Sequence, residues 1–581
     1  MDKIKTVKIK NEDGSISEES YTISADARNV DMDNGKDLQD TIGNIDIDSD
    51  GNIAEQLKDL NNNINDLNTN IKKKAYFFNT VEEMKAANLH SNDFVITLGY
   101  YTANDGGGAS YIIRAKKTND IEDNGSIHFL NNNWVAELII ENNKVNVKQF
   151  GAKGDGIVDD SDAIRNAVNS YTNIEGVLGE QYYITKAINI NNKNLFNLNI
   201  KAEPFRVSIG NTYLNAFNLT GNNNLRNIRV ESEFKYIPSI EIHADPSSQN
   251  GLASNVHAFN VTSGITNFYD CKANFCWAFN IISQGKVNIY NFIGTNLEMS
   301  FFVSSQQDVK VYNSKFNINK TVDSIYYHHI YATQRTNTEF NNCEFTETGE
   351  GTIGNHYHGY SASINEGYDL SGKMVINNCN LITTAWMGQI NCVDLYVNGG
   401  SVEAALLLSG GSYINKPTAY FKNVDIKVNA SGSNSDYALS YPKVNIENCH
   451  IYSEGLGTKH ISNLPYKIYN STIDTPNGTF HNAITADAEN IVTDEIVMNN
   501  CIINSKSYTW CYPYYCTNVK ISNCSFNLST LKQTSNPVDR GTIGFVYNCI
   551  FNNWTLPLNA LSDNTLKIDY IYDGIKKSNI Q

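Results

Sequence analysis

"VKQFGAKGDGIVDDSDAIRNAV", Val147 to Val168, decides how this chain is read. Glycines and aspartates crowd into its first half, and an amphipathic pattern fills the second. Gly151, Gly154 and Gly156 allow backbone angles that a Cβ would forbid. Asp159, Asp160 and Ser161 stand where helix-capping acceptors belong, and Ala163, Ile164, Ala167 and Val168 then trace one apolar helical face. A phosphate loop would end in Gly-Lys-Ser/Thr, which is missing, so the aspartates and glycines read as a structural stop-and-turn.

Downstream, one phrase recurs: apolar-x-Asn-small-x-apolar. It appears at Asp270, Asn291, Asn313, Asn342, Asn378, Asn398, Asn423, Asn448, Asn470, Asn500, Asn523 and Asn548, with steps of 21, 22, 29, 36, 20, 25, 25, 22, 30, 23 and 25. A recurring step of about 20–25 residues is the coil length of a parallel β-solenoid. Asn at a repeated turn can stack as a hydrogen-bonded ladder. Cysteine follows the turn at Cys271, Cys343, Cys379, Cys449, Cys501, Cys524 and Cys549, which predicts a buried column of small apolar side chains rather than disulfides or zinc ligands.

The Val147–Val168 motif resembles the lid that opens the pectin-lyase-like, right-handed parallel β-helices. The resemblance implies an all-β solenoid with that helix closing its N-terminal end, where an open coil would expose core and sheet edge. A second resemblance precedes it. Thr80-Val81, Met84-Lys85-Ala86, Asp93, Leu98-Gly99-Tyr100-Tyr101 and Asp105-Gly106-Gly107-Gly108-Ala109-x-Tyr111 resemble a small module set ahead of the shaft in bacteriophage tailspikes and tail fibres. Thr80 and Glu83 there form a capping box.

Nearer the N-terminus, residues 1–50 read as a small β-rich module. Ile53, Leu57, Leu60, Ile64, Leu67 and Ile71 then step 4, 3, 4, 3, 4, a heptad seam in an Asn- and Asp-rich stretch too weak to stand alone as a helix. It predicts an oligomer. Asp46, Asp48 and Asp50, followed by Gly51, resemble the first half of a calcium loop, but the twelfth position is Leu57. The other reading of these residues is an acidic turn feeding a helix N-terminus. The expected domains are therefore 1–50, an attachment-like β module; 51–74, a short coiled coil; 75–144, a small α+β module; 145–555, the β-helix; and 556–581, a tail.

Composition narrows function. The formal net charge of −16 argues against nucleic acid as a partner, because phosphate binding needs clustered Lys and Arg. No stretch is apolar enough to insert in a membrane, and the first residues carry no secretory h-region. Chemistry is expected where the coil period is broken. The two adjoining long steps, Asn313 to Asn378, hold "SIYYHHIYATQRTNTEF" and "TETGEGTIGNHYHGYSASINEGYD". Glu347, Glu350, Glu366 and Asp369 are candidate acids, bases or nucleophiles for glycoside hydrolysis. Arg335, beside a Tyr, His or Lys base, is a candidate to neutralise a uronate during β-elimination. Tyr326, Tyr327, His328, His329, Tyr331, His356, Tyr357, His358 and Tyr360 are candidate glycan contacts. The alternative is a surface that binds glycan without cleaving it. His356 and His358 could face one metal, but nothing fixes a third ligand. Glu298 and Glu403 read as members of a solvated face, and "YTWCYPYYC" (Tyr508 to Cys516) as either a sugar platform or intersubunit packing.

The tailspike resemblance implies a homotrimer that attaches to other virion tail or baseplate proteins and recognises, and in many relatives depolymerises, bacterial surface polysaccharide. No catalytic residue transfers by motif, because active-site position varies within that fold. No cofactor is required by this reading, with calcium at Asp46, Asp48 and Asp50 the one candidate. The rival is a bacterial polysaccharide lyase or hydrolase outside any virion.

Overall fold

The computed structural model describes residues 4–10, 16–22, 75–204, 214–237, 251–253, 256–305, 307–319, 328–332, 337–349, 358–362, 372–383, 386–390, 393–404, 406–409, 418–428, 437–439, 443–453, 458–461, 466–476, 479–483, 492–505, 509–512, 516–528, 544–552, 567–572 and 575–578. Two compact units divide the chain, one comprising residues 1–76 and 92–94 and the other the remainder. In the first, Ile4–Lys10 and Ile16–Thr22 form an antiparallel hairpin running from Ile4↔Thr22 to Lys10↔Ile16. The heptad seam and Asp46, Asp48 and Asp50 lie outside the described residues.

The module ahead of the shaft carries a five-stranded sheet, in the order Ala75–Phe78, Phe94–Thr97, Ala109–Ala115, Trp134–Leu138, Ile127–Phe129. Thr80 caps the helix Val81–Ala86 by accepting the Glu83 N–H at 3.1 Å, and Glu83 accepts from Asn79 N at 2.8 Å. The triple glycine is explained by what it touches. Asp105 accepts the backbone N–H groups of Tyr100, Tyr101, Thr102 and Gly107 at 2.7–3.0 Å, which holds its carboxyl below the usual range against the opposing effect of burial. A Cβ on Gly107 would lie 2.6 Å from Lys148 O, in the lid. The two motifs that carry the resemblances therefore pack on each other.

In the lid, Val147–Phe150 makes a 3₁₀ turn that ends at Gly151 in the left-handed region (φ 90°), and the helix runs Ser161–Ser170. Ile164, Ala167 and Val168 are buried. The capping differs from the sequence reading. Asp160 occupies the N-cap position but makes no cap bond. Its buried carboxylate accepts Lys153 N and Gly154 N at 2.6 and 3.1 Å and braces the glycine loop, while burial pushes its pKa up. Asp159 instead accepts Ser161 N at 3.0 Å.

Beyond the lid the chain winds into three parallel sheets. The first is registered by Phe259↔Phe279↔Phe301↔Ile330, the second by Tyr269↔Tyr290↔Tyr312↔Asn341, and the third by Ala273↔Gly294↔Phe316↔Phe345. The chain is thus an all-β parallel β-helix, with the right-handed sense that parallel crossovers take. Its core is stacked aromatic: Phe259 on Phe279 at 5.4 Å and Phe279 on Phe301 at 5.1 Å. Parallel pairing continues through Lys567–Tyr572, on which Ile575–Ser578 folds back antiparallel.

One residue turns the chain from the second sheet to the third. Asp270, Asn291, Asn313, Asn342, Asn378, Asn423, Asn448, Asn470, Asn500, Asn523 and Asn548 all have φ between 49° and 56°, the left-handed region that Asn and Asp tolerate best after Gly. Their amides stack along the axis; Asn342 donates to Asn313 at 3.2 Å and Asn500 to Asn470 at 2.9 Å. The ladder begins earlier than the repeated phrase does, because Asn227 (φ 53°) donates to Asn197 (φ 56°) at 2.9 Å. Asn398 is not the turn residue of its coil. It pairs with Asn377, and Gly399 (φ 70°) takes the turn. The cysteines that follow the turn are buried and unbridged, with each thiol near the carbonyl two residues back, as in Cys343 to Asn341 O at 3.3 Å. Burial pushes the Cys271 thiol up to about 12.

Candidate functional site

Among the described residues, length variation spares the corner between the second and third sheets. While the Asn turn stays fixed, the connections on either side of the first sheet grow. In one coil, Trp277–Tyr290 runs unbroken from first sheet to second. Two coils later the first sheet contributes His328–Ala332, with residues 320–327 before it and 333–336 after it. The following coil contributes His358–Ala362, between the third-sheet strand Glu344–Thr348 and Gly372–Ile382. The tight turn packs its amides too closely to admit insertions, so added residues collect around the first sheet.

Two rows of that sheet hold candidate residues. One row reads Asn215↔His257↔Trp277↔Met299 and continues, two positions before the Phe301↔Ile330 pair, as His328↔His358↔Trp386↔Leu406. His328 and His358, 30 residues apart in sequence, are thus direct register neighbours. The other row starts as an amide ladder, with Asn218 donating to Asn189, Asn260 to Asn218 and Asn280 to Asn260 at 2.8–3.0 Å. It continues Phe302↔Tyr331↔Ser361↔Gln389↔Ser409. The strand Thr509–Tyr512 of the second aromatic cluster lies on this sheet too, paired His481↔Trp510.

The expected site residues are distributed unevenly. His328, His358 and Tyr331 fall on the two rows just described. Tyr360 shares the register of Ile330 and Phe301, both buried. His329 is 1% exposed, its Nδ1 3.2 Å from Ser300 Oγ and its ring packed on Phe345, so it is a core residue and not a sugar contact. Glu347 stands on the third sheet in register with buried Ile318, away from the histidine row. Tyr326, Tyr327, Arg335, Glu350, His356, Tyr357, Glu366 and Asp369 lie outside the described residues.

Sequence reasoning did not single out Trp386 and Gln389, which follow His358 and Ser361 in these two rows. It also misjudged Glu298, which is 2% exposed and accepts the Trp277 indole N–H at 3.0 Å. Beside them, burial pushes His257 down to about 3, with its Nδ1 2.9 Å from Asn215 Oδ1. Glu403 lies on the third sheet and pairs with Lys427 at 3.1 Å. On that sheet's outer face His450 sits between Asp474 (2.8 Å) and Asp425 (3.3 Å), and Asn504 holds Asp474 at 2.6 Å. Among the described residues no group of three His, Cys, Asp or Glu is placed to hold a metal, and no helix is long and apolar enough to cross a membrane.

No protein-family model and no curated protein matches the chain. Solved structures with a similar course include WceF of Pantoea stewartii, a glycan biofilm modifying enzyme with a bacteriophage tailspike-like parallel β-helix, at 9% identity over 87% of this chain and 52% of WceF (TM-score 0.29). The tailspike gp49 of Acinetobacter baumannii bacteriophage Fri1, a capsular polysaccharide depolymerase, matches at 10% identity over 87% of this chain and 76% of its own (TM-score 0.22). The tailspike of Escherichia coli bacteriophage HK620, solved with a pentasaccharide, matches at 11% identity over 75% of this chain and 82% of its own (TM-score 0.41). The chain spans about half the length of WceF. At these identities the likeness is one of fold alone, and the strand register is what establishes the parallel β-helix.

Proposed function

We propose that this chain is a tailspike or tail-fibre protein that recognises and depolymerises bacterial surface polysaccharide, with the first sheet and its long connections as the working face. One observation carries the reading: insertions gather at the borders of that sheet, and the aromatic and imidazole residues singled out in the sequence gather with them. A register row of Tyr331, Ser361 and Gln389 suits a polymer lying along the solenoid axis, because an aromatic face and an amide can contact successive sugars. Glu350, Glu366 and Asp369 are the carboxylates for hydrolysis, and Arg335 the cation for elimination. A homotrimer bound to virion tail or baseplate proteins completes the reading, with the N-terminal part as the attachment end.

A second reading, recognition without cleavage, is favoured by one fact. Glu347, the one candidate carboxylate among the described residues, holds a core register position and not one on the working face. The test is incubation of purified protein with capsular and cell-wall polysaccharides, following chain length, unsaturated-uronate absorbance and new reducing ends. Shortening with absorbance identifies a lyase, and shortening with reducing ends alone a hydrolase. Binding without shortening supports recognition only, and neither binding nor shortening across a broad panel refutes the proposal.

A further inference from the structure

The module ahead of the solenoid is fastened to the lid around one histidine. Tyr101 OH donates to Gly151 O at 2.9 Å, and Lys153 lies 5.2 Å from the centre of the Tyr101 ring. Tyr100 packs so tightly against Gly151 that a Cβ there would come within 3.0 Å of its ring. His128 stands 6.2 Å from Tyr100 between ring centres and 5.4 Å from Tyr111. His128 is fully buried, and neither ring nitrogen has a hydrogen-bond partner.

The charged groups near this ring are already engaged. Lys85 pairs with Glu122 at 2.5 Å, and Glu122 also accepts from Phe129 N at 3.3 Å. Asp123 accepts from Ser126, from Ser170 Oγ at 2.6 Å, and from the N–H groups of Gly125 and Ile127 at 3.1 and 3.0 Å. A proton arriving on His128 would thus be a buried charge without a hydrogen-bonding acceptor, which a packed interior does not sustain. The ring cannot take it up in place, so its surroundings must open.

We propose that His128 makes the module an acid-responsive latch: the neutral ring lets Tyr100 and Tyr101 seat on Gly151, and protonation frees the module from the lid of the solenoid. Burial, reinforced by Lys85, lowers the ring's pKa to about 4 from its ordinary 6.5. The open form therefore takes the proton first. Closure is undisturbed above pH 6.5 and weakens as pH falls toward 4. Between pH 7 and pH 5 the opening equilibrium should rise about 20-fold.

The test is hydrogen–deuterium exchange of the full chain at pH 7 and pH 5, corrected for intrinsic rates, comparing residues 95–151 with solenoid strands. The expected result is opening of that segment raised about 20-fold at pH 5, and loss of the effect in His128→Phe. Opening that ignores pH, or that responds equally in His128→Phe, overturns the latch. Should that variant not fold, exchange of the imidazole C2–H in the unmodified chain reports the His128 pKa directly. A value near 6.5 in the closed form refutes the proposal, and a value near 4 supports it.

Discussion

Replacing one turn residue in two ways separates the forces that fix the solenoid's period. Asn500 has φ 54°, its backbone N–H donates to Ser522 O at 3.0 Å, and its side chain donates to Asn470 at 2.9 Å. Asn500→Ala loses the side-chain bond, at most about 1 kcal/mol for an exposed pair, and places a Cβ residue in the left-handed region at a further 1–2 kcal/mol or so. Asn500→Gly loses the same bond but is at ease in that conformation, with a loss of roughly 0.4–1 kcal/mol from the freer unfolded chain. The alanine variant should be the worse of the two by up to about 1.6 kcal/mol, a factor of about 15 in local opening. Native-state hydrogen exchange at the strands Ile502–Ser505 and Val492–Asn499 reads this locally, which matters because a solenoid's stability is close to a sum over neighbouring coils. Glycine as damaging as alanine, or more so, would refute the conformational argument and leave the amide ladder as the stronger of the two forces. Asn398 and Gly399 give an internal control. A Cβ on Gly399 would lie 2.3 Å from Asn378 Oδ1 at φ 70°, so Gly399→Ala should cost more than Asn398→Ala, the reverse of what the repeated phrase alone suggests.

Three further outcomes are expected. Tyr331→Ala should weaken polysaccharide binding with little loss of stability, whereas Tyr360→Ala, in register with buried Ile330, should lower the midpoint of denaturant unfolding; equal effects in both assays would refute the distinction between the two registers. Native protein should expose at most three of its eleven thiols to an aromatic disulfide reagent, since eight are buried, and reaction of more than three before unfolding would contradict the interior column. His257 is depressed to about 3, so the stability it lends is complete above pH 6.5 and fades as pH falls toward that value; exchange at Val256–Tyr269 should rise with acid in the unmodified chain and less steeply in His257→Gln, and parallel slopes would exclude the group.

What was legible in the sequence follows from how local each constraint is. The Asn turn needs one residue type in one backbone region, so it recurs as a readable letter, and the Cys column follows because its position is fixed one residue later. Asn197 and Asn227 escaped because the coils after them are lengthened, which hid the period without changing the turn. Asn398 misled because Asn and Gly both satisfy a positive φ, and only pairing with Asn377 shows which does. The candidate site was half legible. Residue type and broken period pointed to these coils, and register then separates the row of Tyr331 from that of Tyr360, while His329, two positions from Tyr331, is buried all the same. Least legible was the docking of Gly107 and Tyr101 on the lid, because contacts between segments some 40–50 residues apart leave only glycines as their trace. Those contacts give the triple glycine a physical reason. A side chain there would push the module off Lys148, so the loop is as much a part of the solenoid's closure as the lid helix. Removing residues 75–144 should therefore destabilise the first coils as well as delete a module, and a shaft beginning at Val145 that kept the full chain's exchange protection at Asn173–Glu175 and Gln181–Ile184 would show that the lid closes the solenoid unaided.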